Sequence, residues 1–189
     1  MAKINLYGTV PLAEPCRPGK NYVLHDASLS HNPVFYKKVL TQAKKNICIL
    51  DPYACEPDAT RVFECIHVEN IKIDIITTGY SEEDIKLFAD NIINVIKKNI
   101  STYSLSIISY RERGVRLEQQ IPLWHDRYLI IDDTDYYLIG SSLDSQQTSR
   151  KYHGILLLTE EEDKKIIEDL FVKYQTLYNS HRAYKTSRR

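Results

Sequence analysis

Two side chains in the segment Trp124 to Asp132 combine acid–base and anion-binding chemistry. His125 and Arg127 lie two positions apart, so on a β-strand they project from the same face. An imidazole titrates near neutral pH, which suits a nucleophile or a general acid–base group. A guanidinium binds phosphate oxygens with two parallel hydrogen bonds. This pair therefore predicts a small site that holds an anion and performs proton or nucleophilic chemistry on it.

The residues that follow indicate what lies around this pair. Asp132 closes the predicted strand at a turn, and the next strand of the hairpin ends at Gly140, Ser141 and Ser142. Glycine permits a close backbone approach, and hydroxyl groups donate and accept hydrogen bonds. We therefore expect an imidazole, a guanidinium, a carboxylate and two hydroxyls to converge in one region.

The elements that must position this region alternate between helix and strand along the chain. Apolar spacing, capping signals and turn residues predict helices over 33–45, 57–68, from 81 and from 159, and strands over 47–51, 71–78, 104–109, 127–131, 136–139 and 154–158. The helix from 81 opens with capping-box spacing, and the helix from 159 carries Ile166 and Leu170 at helical spacing. This order predicts an α/β or α+β layer sandwich with a mixed sheet.

In this setting the motif resembles the phospholipase D-like superfamily. The superfamily signature is His-x-Lys, four residues and Asp, followed by a Gly-Ser element on the next strand; here His125, Arg127 and Asp132 match the spacing, with Arg in the Lys position. The resemblance covers residues 33 to 178. It implies a phospholipase D-like α/β/α sandwich with a mixed β-sheet flanked by helices. We expect an N-terminal arm over 1–32 packed on the domain, the phospholipase D-like domain over 33–179, and a basic, flexible tail over 180–189.

The resemblance also implies an activity. In active members the motif His attacks a phosphodiester phosphorus, and a second motif's His protonates the leaving oxygen, with no metal or other cofactor. His125, Arg127 and Asp132 are then the catalytic residues, and Ser141 and Ser142 bind substrate. Because the sequence holds one motif, the second His is expected from another copy in a homodimer. Prokaryotic members of this size are often nucleases of defence systems, so DNA is the first expected ligand, ahead of RNA or anionic lipid.

Two further features bear on this site, and each has two interpretations. Three arginines, Arg111, Arg113 and Arg116, precede the motif strand and either rim the site and guide a polyanion or form ordinary solvated charge. Asp51 follows a predicted buried strand, where α/β sheets place ligands, but it also suits a turn with Pro52.

A second resemblance supports a different class of function. His125-Asp126-Arg127, with Leu143-Asp144 after the Gly-Ser element, is similar to the phospholipase D-like C-terminal domain of MIT-domain-containing proteins, which binds anionic lipid. This alternative is a catalytically inactive module that binds phosphate-containing ligands, either nucleic acid or anionic lipid, or a partner protein.

The composition limits both interpretations. The 189 residues suit one domain, and 25 basic residues balance 25 acidic ones, which disfavours a polybasic nucleic-acid-binding protein. The sequence has neither a leader-like apolar segment nor a stretch long enough to span a membrane, so we expect a cytoplasmic protein. Four cysteines without CxxC spacing are expected to be reduced, small hydrophobic residues rather than metal ligands.

Overall fold

Eight β-strands form one sheet among the residues that the computed structural model describes, which are 22–26, 39–55, 57–78, 80–110, 126–139, 152–177 and 183–188. The strands are β1 (Tyr22–Asp26), β2 (Asn46–Leu50), β3 (Ile71–Thr78), β4 (Tyr103–Tyr110), β5 (Arg127–Ile131), β6 (Asp135–Ile139), β7 (Tyr152–Leu158) and β8 (Ala183–Arg188). The same residues include helix α1 (Glu82–Ile96), helix α2 (Glu161–Leu177), a 3₁₀ helix (Pro57–Cys65) and helical residues at 39–42.

The strand order is β1-β7-β6-β5-β2-β3-β4-β8. Strands β2, β3 and β4 are parallel neighbours, and every other pairing is antiparallel. Since β5 runs antiparallel to β2, the amino end of β5 lies beside the carboxyl end of β2. We call this side of the sheet, where β2, β3 and β4 end and β5 begins, the carboxyl edge.

Apolar residues cover both faces of the sheet, as expected for strands that are buried on two sides. On one face, side chains such as Ile49 and Ile75 pack with α1 and the 3₁₀ helix in the larger core. On the other face, Leu50 and Ile76 pack with Ile167 and Phe171 of α2. This arrangement confirms the predicted α/β sandwich with a mixed sheet flanked by helices.

The predicted start of α1 is confirmed, whereas the buried face predicted for α2 is wrong at Ile166. Ser81 and Asp84 form the expected capping box at the start of α1, each accepting a hydrogen bond from the other's backbone N–H. Over residues 161–173, the part of α2 whose side chains are described, Ile167 and Phe171 are buried, whereas Ile166 is 59% exposed. The helix expected over 57–68 is a 3₁₀ helix.

The flexible tail expected over 180–189 is wrong for most of its length. Residues 183–188 form β8, which pairs antiparallel with β4 from Ile108↔Ala183 to Tyr103↔Arg188. Backbone N–H and C=O groups make these pairs. A segment of polar sequence can therefore supply the backbone hydrogen bonds of β4 as well as an apolar segment can. The arm expected over 1–32 contributes β1, which pairs with β7, and its other residues lie outside the described part of the chain.

Three cysteines belong to the described residues, and none of them forms a disulfide with another. Cys65 is buried and donates to the carbonyl of Val62. Burial, and then the nearby charge of Asp74, raises the pKa of Cys48 to about 12, so this thiol stays protonated at neutral pH. Cys16 lies outside the described residues. In the part of the chain that is described, no helix is both long and apolar enough to cross a membrane.

Removal of residues 183–189 tests the role of β8. The deletion leaves one side of β4 without its backbone partners, and at about 1 kcal/mol net for each lost hydrogen bond we expect the free energy of unfolding to fall by at least ~2 kcal/mol. Urea unfolding followed by circular dichroism measures this change. Deletion of Arg189 alone is the control and leaves the ladder intact. Unchanged stability of the longer deletion would contradict the pairing of β8 with β4.

Candidate functional site

Arg127 begins β5 at the carboxyl edge of the sheet. Tyr128 pairs with Leu50, so the same antiparallel register places Arg127 opposite Asp51, the residue that follows β2. Leu129 and Ile49, the next pair along, pack in the α1-side core. Because side chains alternate along a strand, Arg127 and Asp51 lie on that same face.

Arg127 contacts an acidic and an aromatic side chain. Its Nε lies 3.9 Å from Oδ1 of Asp51, and the guanidinium carbon lies 5.3 Å from the centroid of the Tyr53 ring. The Asp51 side chain is almost entirely buried, and that of Arg127 is 18% exposed. Reduced contact with water strengthens both the ion pair and the cation–π interaction. The guanidinium is therefore held in place at the rim of the sheet.

Hydrogen bonds from the neighbouring strand fix the turn that carries Tyr53. Asp51 Oδ1 accepts from the N–H of Tyr53 at 2.8 Å, and the Asp51 N–H donates to the carbonyl of Ile76 at 3.0 Å. The Pro52 carbonyl accepts from the hydroxyls of Thr77 and Thr78 at 3.1 and 3.3 Å. The turn after β2 is thus bonded to the end of β3. Asp51 therefore has the turn role that the sequence allowed, and it also lies beside Arg127.

Sequence reasoning missed the polar side chains that end β3 and β4. Thr77 and Ser109 occupy paired positions, and both are buried. The Ser109 hydroxyl accepts from the N–H of Tyr80 at 3.1 Å, so it fixes the loop that leaves β3. The available signal was the occurrence of hydroxyl residues at the ends of two successive apolar strands, the place where α/β sheets locate ligand sites.

Asp132 lies at the opposite end of β5 from Arg127, and this corrects the expected convergence of their side chains. Five positions separate them, which is roughly 16 Å at about 3.3 Å per residue. Its carboxylate accepts hydrogen bonds from the backbone N–H groups of Lys44, Lys45 and Asn46 at 2.7 to 3.1 Å. Asp132 therefore anchors the start of β2 to the end of β5, and its position does not fit a catalytic role beside Arg127.

The surroundings of Asp132 favour its charged form. Desolvation acts to raise the pKa of its carboxyl, but the hydrogen bonds from the three backbone N–H groups outweigh it and lower the pKa below its ordinary value. Asp132 and Asp133 both have positive φ, at 54° and 58°. Aspartate and asparagine tolerate this left-handed conformation better than most residues do.

The other residues expected at the site lie outside the described part of the chain. They are His125, Ser141, Ser142, Arg111, Arg113 and Arg116. Their proposed roles remain predictions. Within the residues that the structure describes, no group of three or more His, Cys, Asp or Glu side chains lies close enough together to bind a metal ion.

Comparison with solved structures identifies the fold. The chain is similar to Nuc, a phospholipase D family member from Salmonella typhimurium, with a TM-score of 0.50 and 12% identity over 88% of this chain and 100% of Nuc. It is similar to NucT from Helicobacter pylori, with a TM-score of 0.50 and 12% identity over 82% of this chain and 96% of NucT. No protein-family model and no curated protein sequence matches it. The chain has the phospholipase D-like fold, as its motif predicted.

The substitution Asp132→Asn tests the anchoring role. An amide keeps one acceptor oxygen but loses the charge, so we expect the free energy of unfolding to fall by about 2 kcal/mol at neutral pH. Asp133→Asn is the matched control, because it lies in the same turn, also has positive φ, and accepts one side-chain hydrogen bond from Asn46. Urea unfolding of both variants measures the difference.

The pH dependence provides a second measurement of the same anchor. The folded-state pKa of Asp132 lies below its ordinary value of 3.8. The carboxylate therefore contributes fully to the free energy of unfolding above pH 3.8, and this contribution is lost as the pH falls through the folded-state pKa. The stability gap between wild type and Asp132→Asn should close over this acidic range. A gap that is absent at pH 7, or constant with pH, would contradict the role of the charged carboxylate.

Proposed function

We propose that this chain is a metal-independent phosphodiesterase of the nuclease type, which acts as a homodimer through a phosphohistidine at His125. The observation that supports it most is the place of Arg127. The guanidinium is held at the carboxyl edge of β2, β3 and β4, where an α/β sheet locates ligands, and it follows the motif histidine by two residues.

The roles of the residues follow from this placement. If the alternation of β5 continues back by two residues, His125 lies on the face of Arg127. An imidazole nitrogen of His125 attacks the phosphorus, and the bond from phosphorus to the leaving oxygen breaks. Arg127 stabilises the charge on the nonbridging oxygens, and the hydroxyls of Ser141 and Ser142 donate to the same phosphate. Water then attacks the phosphorus, the bond from phosphorus to the His125 nitrogen breaks, and a phosphomonoester leaves the restored enzyme.

A second histidine is needed to protonate the leaving oxygen. The sequence holds one such motif, so we propose that His125 of a second copy supplies this proton across a two-fold axis. The group that donates the proton in the first step then removes a proton from water in the second.

We propose DNA as the first substrate to test, with RNA second. Arg111, Arg113 and Arg116 would supply local positive charge in a chain whose formal net charge is zero. A nuclease of a prokaryotic defence system is the setting that the motif resemblance suggests, and the cytoplasmic location expected from the sequence stays a prediction.

One observation favours a second candidate, a module that binds phosphate-containing ligands without hydrolysing them. The ion pair with Asp51 offsets part of the positive charge that Arg127 presents to an anion. A partly neutralised guanidinium stabilises the developing charge of a transition state less well, so this pair favours binding over hydrolysis. Nucleic acid and anionic lipid are the ligands that this candidate would take, and a partner protein would use the same surface.

Hydrolysis in EDTA separates the two candidates. We expect the wild type to cleave bis(p-nitrophenyl) phosphate and labelled single- or double-stranded DNA in EDTA, and His125→Ala to lose at least ~100-fold in rate, the lower range of what a positioned acid–base or nucleophilic group contributes. His67→Ala is the matched control, because His67 is exposed and lies far along the chain from the motif. Its rate should equal that of the wild type.

Two results would contradict the enzyme proposal. The first is hydrolysis that persists in His125→Ala, which would remove His125 as the nucleophile. The second is a folded dimer that cleaves neither substrate but still binds inorganic phosphate or vesicles that contain phosphatidylserine, which would support the binding module.

The oligomeric state tests the shared site. We expect light scattering at micromolar concentration to give twice the monomer mass. Unfolding and refolding the wild type together with excess His125→Ala should lower the activity per wild-type chain, because mixed dimers lack one of the two histidines. A strict monomer that hydrolyses the substrate, or activity that only scales with the amount of wild type, would contradict the shared site.

A further inference from the structure

The turn after β2 places a carboxylate and an aromatic ring around one guanidinium. Asp51 Oδ1 lies 3.9 Å from Nε of Arg127, and the Tyr53 ring lies under the guanidinium with its centroid 5.3 Å from the central carbon. Neither partner was part of the motif that predicted the site. The two contacts come from Asp51 and Tyr53, which lie two residues apart in the same short turn. They therefore form a single structural unit.

We propose that Asp51 and Tyr53 form an arginine cradle, a pair of positioning residues that makes this site specific for arginine at position 127. This inference rests on the proposed function for its kinetic consequences. The cradle orients the guanidinium before a phosphate arrives. Arginine at position 127 therefore fits these two partners, and lysine at the same position supports less activity.

The geometry of the two side chains explains this specificity. A guanidinium is planar and has a fixed fork of N–H donors, so a carboxylate 3.9 Å from Nε and an aromatic ring 5.3 Å from the central carbon restrict the orientations that it can adopt. A lysine ammonium has no Nε and no plane, and its flexible stem retains several rotamers. An arginine that is already held loses less conformational freedom when it binds an anion.

The cradle is rigid because it does not depend on Arg127 for its own position. The backbone N–H of Tyr53 donates to Asp51 Oδ1, the same oxygen that faces Nε, so one carboxylate oxygen contacts both the Tyr53 backbone and the guanidinium. The Pro52 carbonyl, between them, accepts from the hydroxyls of Thr77 and Thr78. These bonds tie the turn to β3, an interior strand of the sheet.

Substitutions at the three positions test the proposal on the hydrolysis of bis(p-nitrophenyl) phosphate. We expect Arg127→Lys to lower kcat/KM about 10-fold or more despite its conserved charge, since a bidentate contact is lost. Tyr53→Leu should lower it about 5-fold through loss of the cation–π contact, and Tyr53→Phe, which keeps the ring, should stay close to wild type. Asp51→Asn keeps an acceptor for the Tyr53 N–H and removes the charge. The decrease in kcat/KM of this variant therefore measures the contribution of the ion pair.

A double-mutant cycle separates positioning from a structural role. In the wild-type background Tyr53→Leu removes the ring from a guanidinium, whereas in the Arg127→Lys background there is no guanidinium to lose. We therefore expect Tyr53→Leu to cost clearly less in the Arg127→Lys background. Equal costs in both backgrounds, or an Arg127→Lys variant as active as the wild type, would overturn the cradle.

A nuclear magnetic resonance measurement tests the cradle without relying on hydrolysis. We expect the ¹H–¹⁵N signal of the Arg127 Nε–H, assigned by its absence in Arg127→Lys, to exchange slowly with water in the wild type and in Tyr53→Phe. Exchange should accelerate in Asp51→Asn and in Tyr53→Leu, with circular dichroism confirming that each variant is folded. Slow exchange in a protein that does not hydrolyse diesters would reject the proposed function and keep the cradle. Fast exchange in an active wild type would reject the cradle alone.

Discussion

The Asp132 carboxylate sets the register of β5 against β2. It binds the backbone N–H groups of three successive residues at the start of β2, and the Asp132 N–H donates in turn to the carbonyl of Asn46. Since alternate residues of a strand point to opposite faces, a slip of one residue would move Arg127 away from Asp51 and bury the wrong side chains. The anchor at one end of β5 therefore determines what the other end can bind.

The carboxyl edge shows how a polar site is built at the end of an apolar sheet. Buried Thr77, Thr78 and Ser109 each use the hydroxyl to fix a loop, and buried Asp51 accepts a backbone hydrogen bond while it faces Arg127. Burial of these groups is costly unless they are satisfied, and the loops satisfy them. The same bonds that offset this cost also fix the turn that contacts the guanidinium of Arg127, so the stability of this edge and the placement of the proposed anion site have a common origin.

Much of the fold could be predicted because its signals are local. The capping spacing of Ser81 and Asp84 and the apolar stripe that follows predict α1, and the hairpin turn at Asp132 and Asp133 predicts the pairing of β5 with β6. The motif also predicted the phospholipase D-like fold. Arg127 was expected at a site, and the structure places it at the edge where sheets of this class hold ligands.

Other features depend on tertiary contacts that spacing does not reveal. The sequence puts Asp132 at the opposite end of the predicted strand from Arg127, but it does not reveal that the Asp132 carboxylate binds the backbone N–H groups of Lys44, Lys45 and Asn46 there. The sequence of β8 shows no apolar alternation that would predict a strand, and the strand becomes evident only through its backbone pairing with β4. The helical stripe through Ile166 competes with the one through Ile167, and only packing on the sheet selects the second. Tyr53 becomes part of the site only when its turn folds against Arg127.

In the proposed function, His125 forms a covalent bond to phosphorus beside Arg127. Mass spectrometry of protein quenched in alkali, in which phosphohistidine survives, after incubation with bis(p-nitrophenyl) phosphate in EDTA tests this claim directly. We expect the peptide that contains His125 to carry a p-nitrophenyl phosphoryl group, formed as one p-nitrophenol is released. Hydrolysis that proceeds with His125 unmodified under these conditions, or a phosphoryl group on a different residue, would contradict the account.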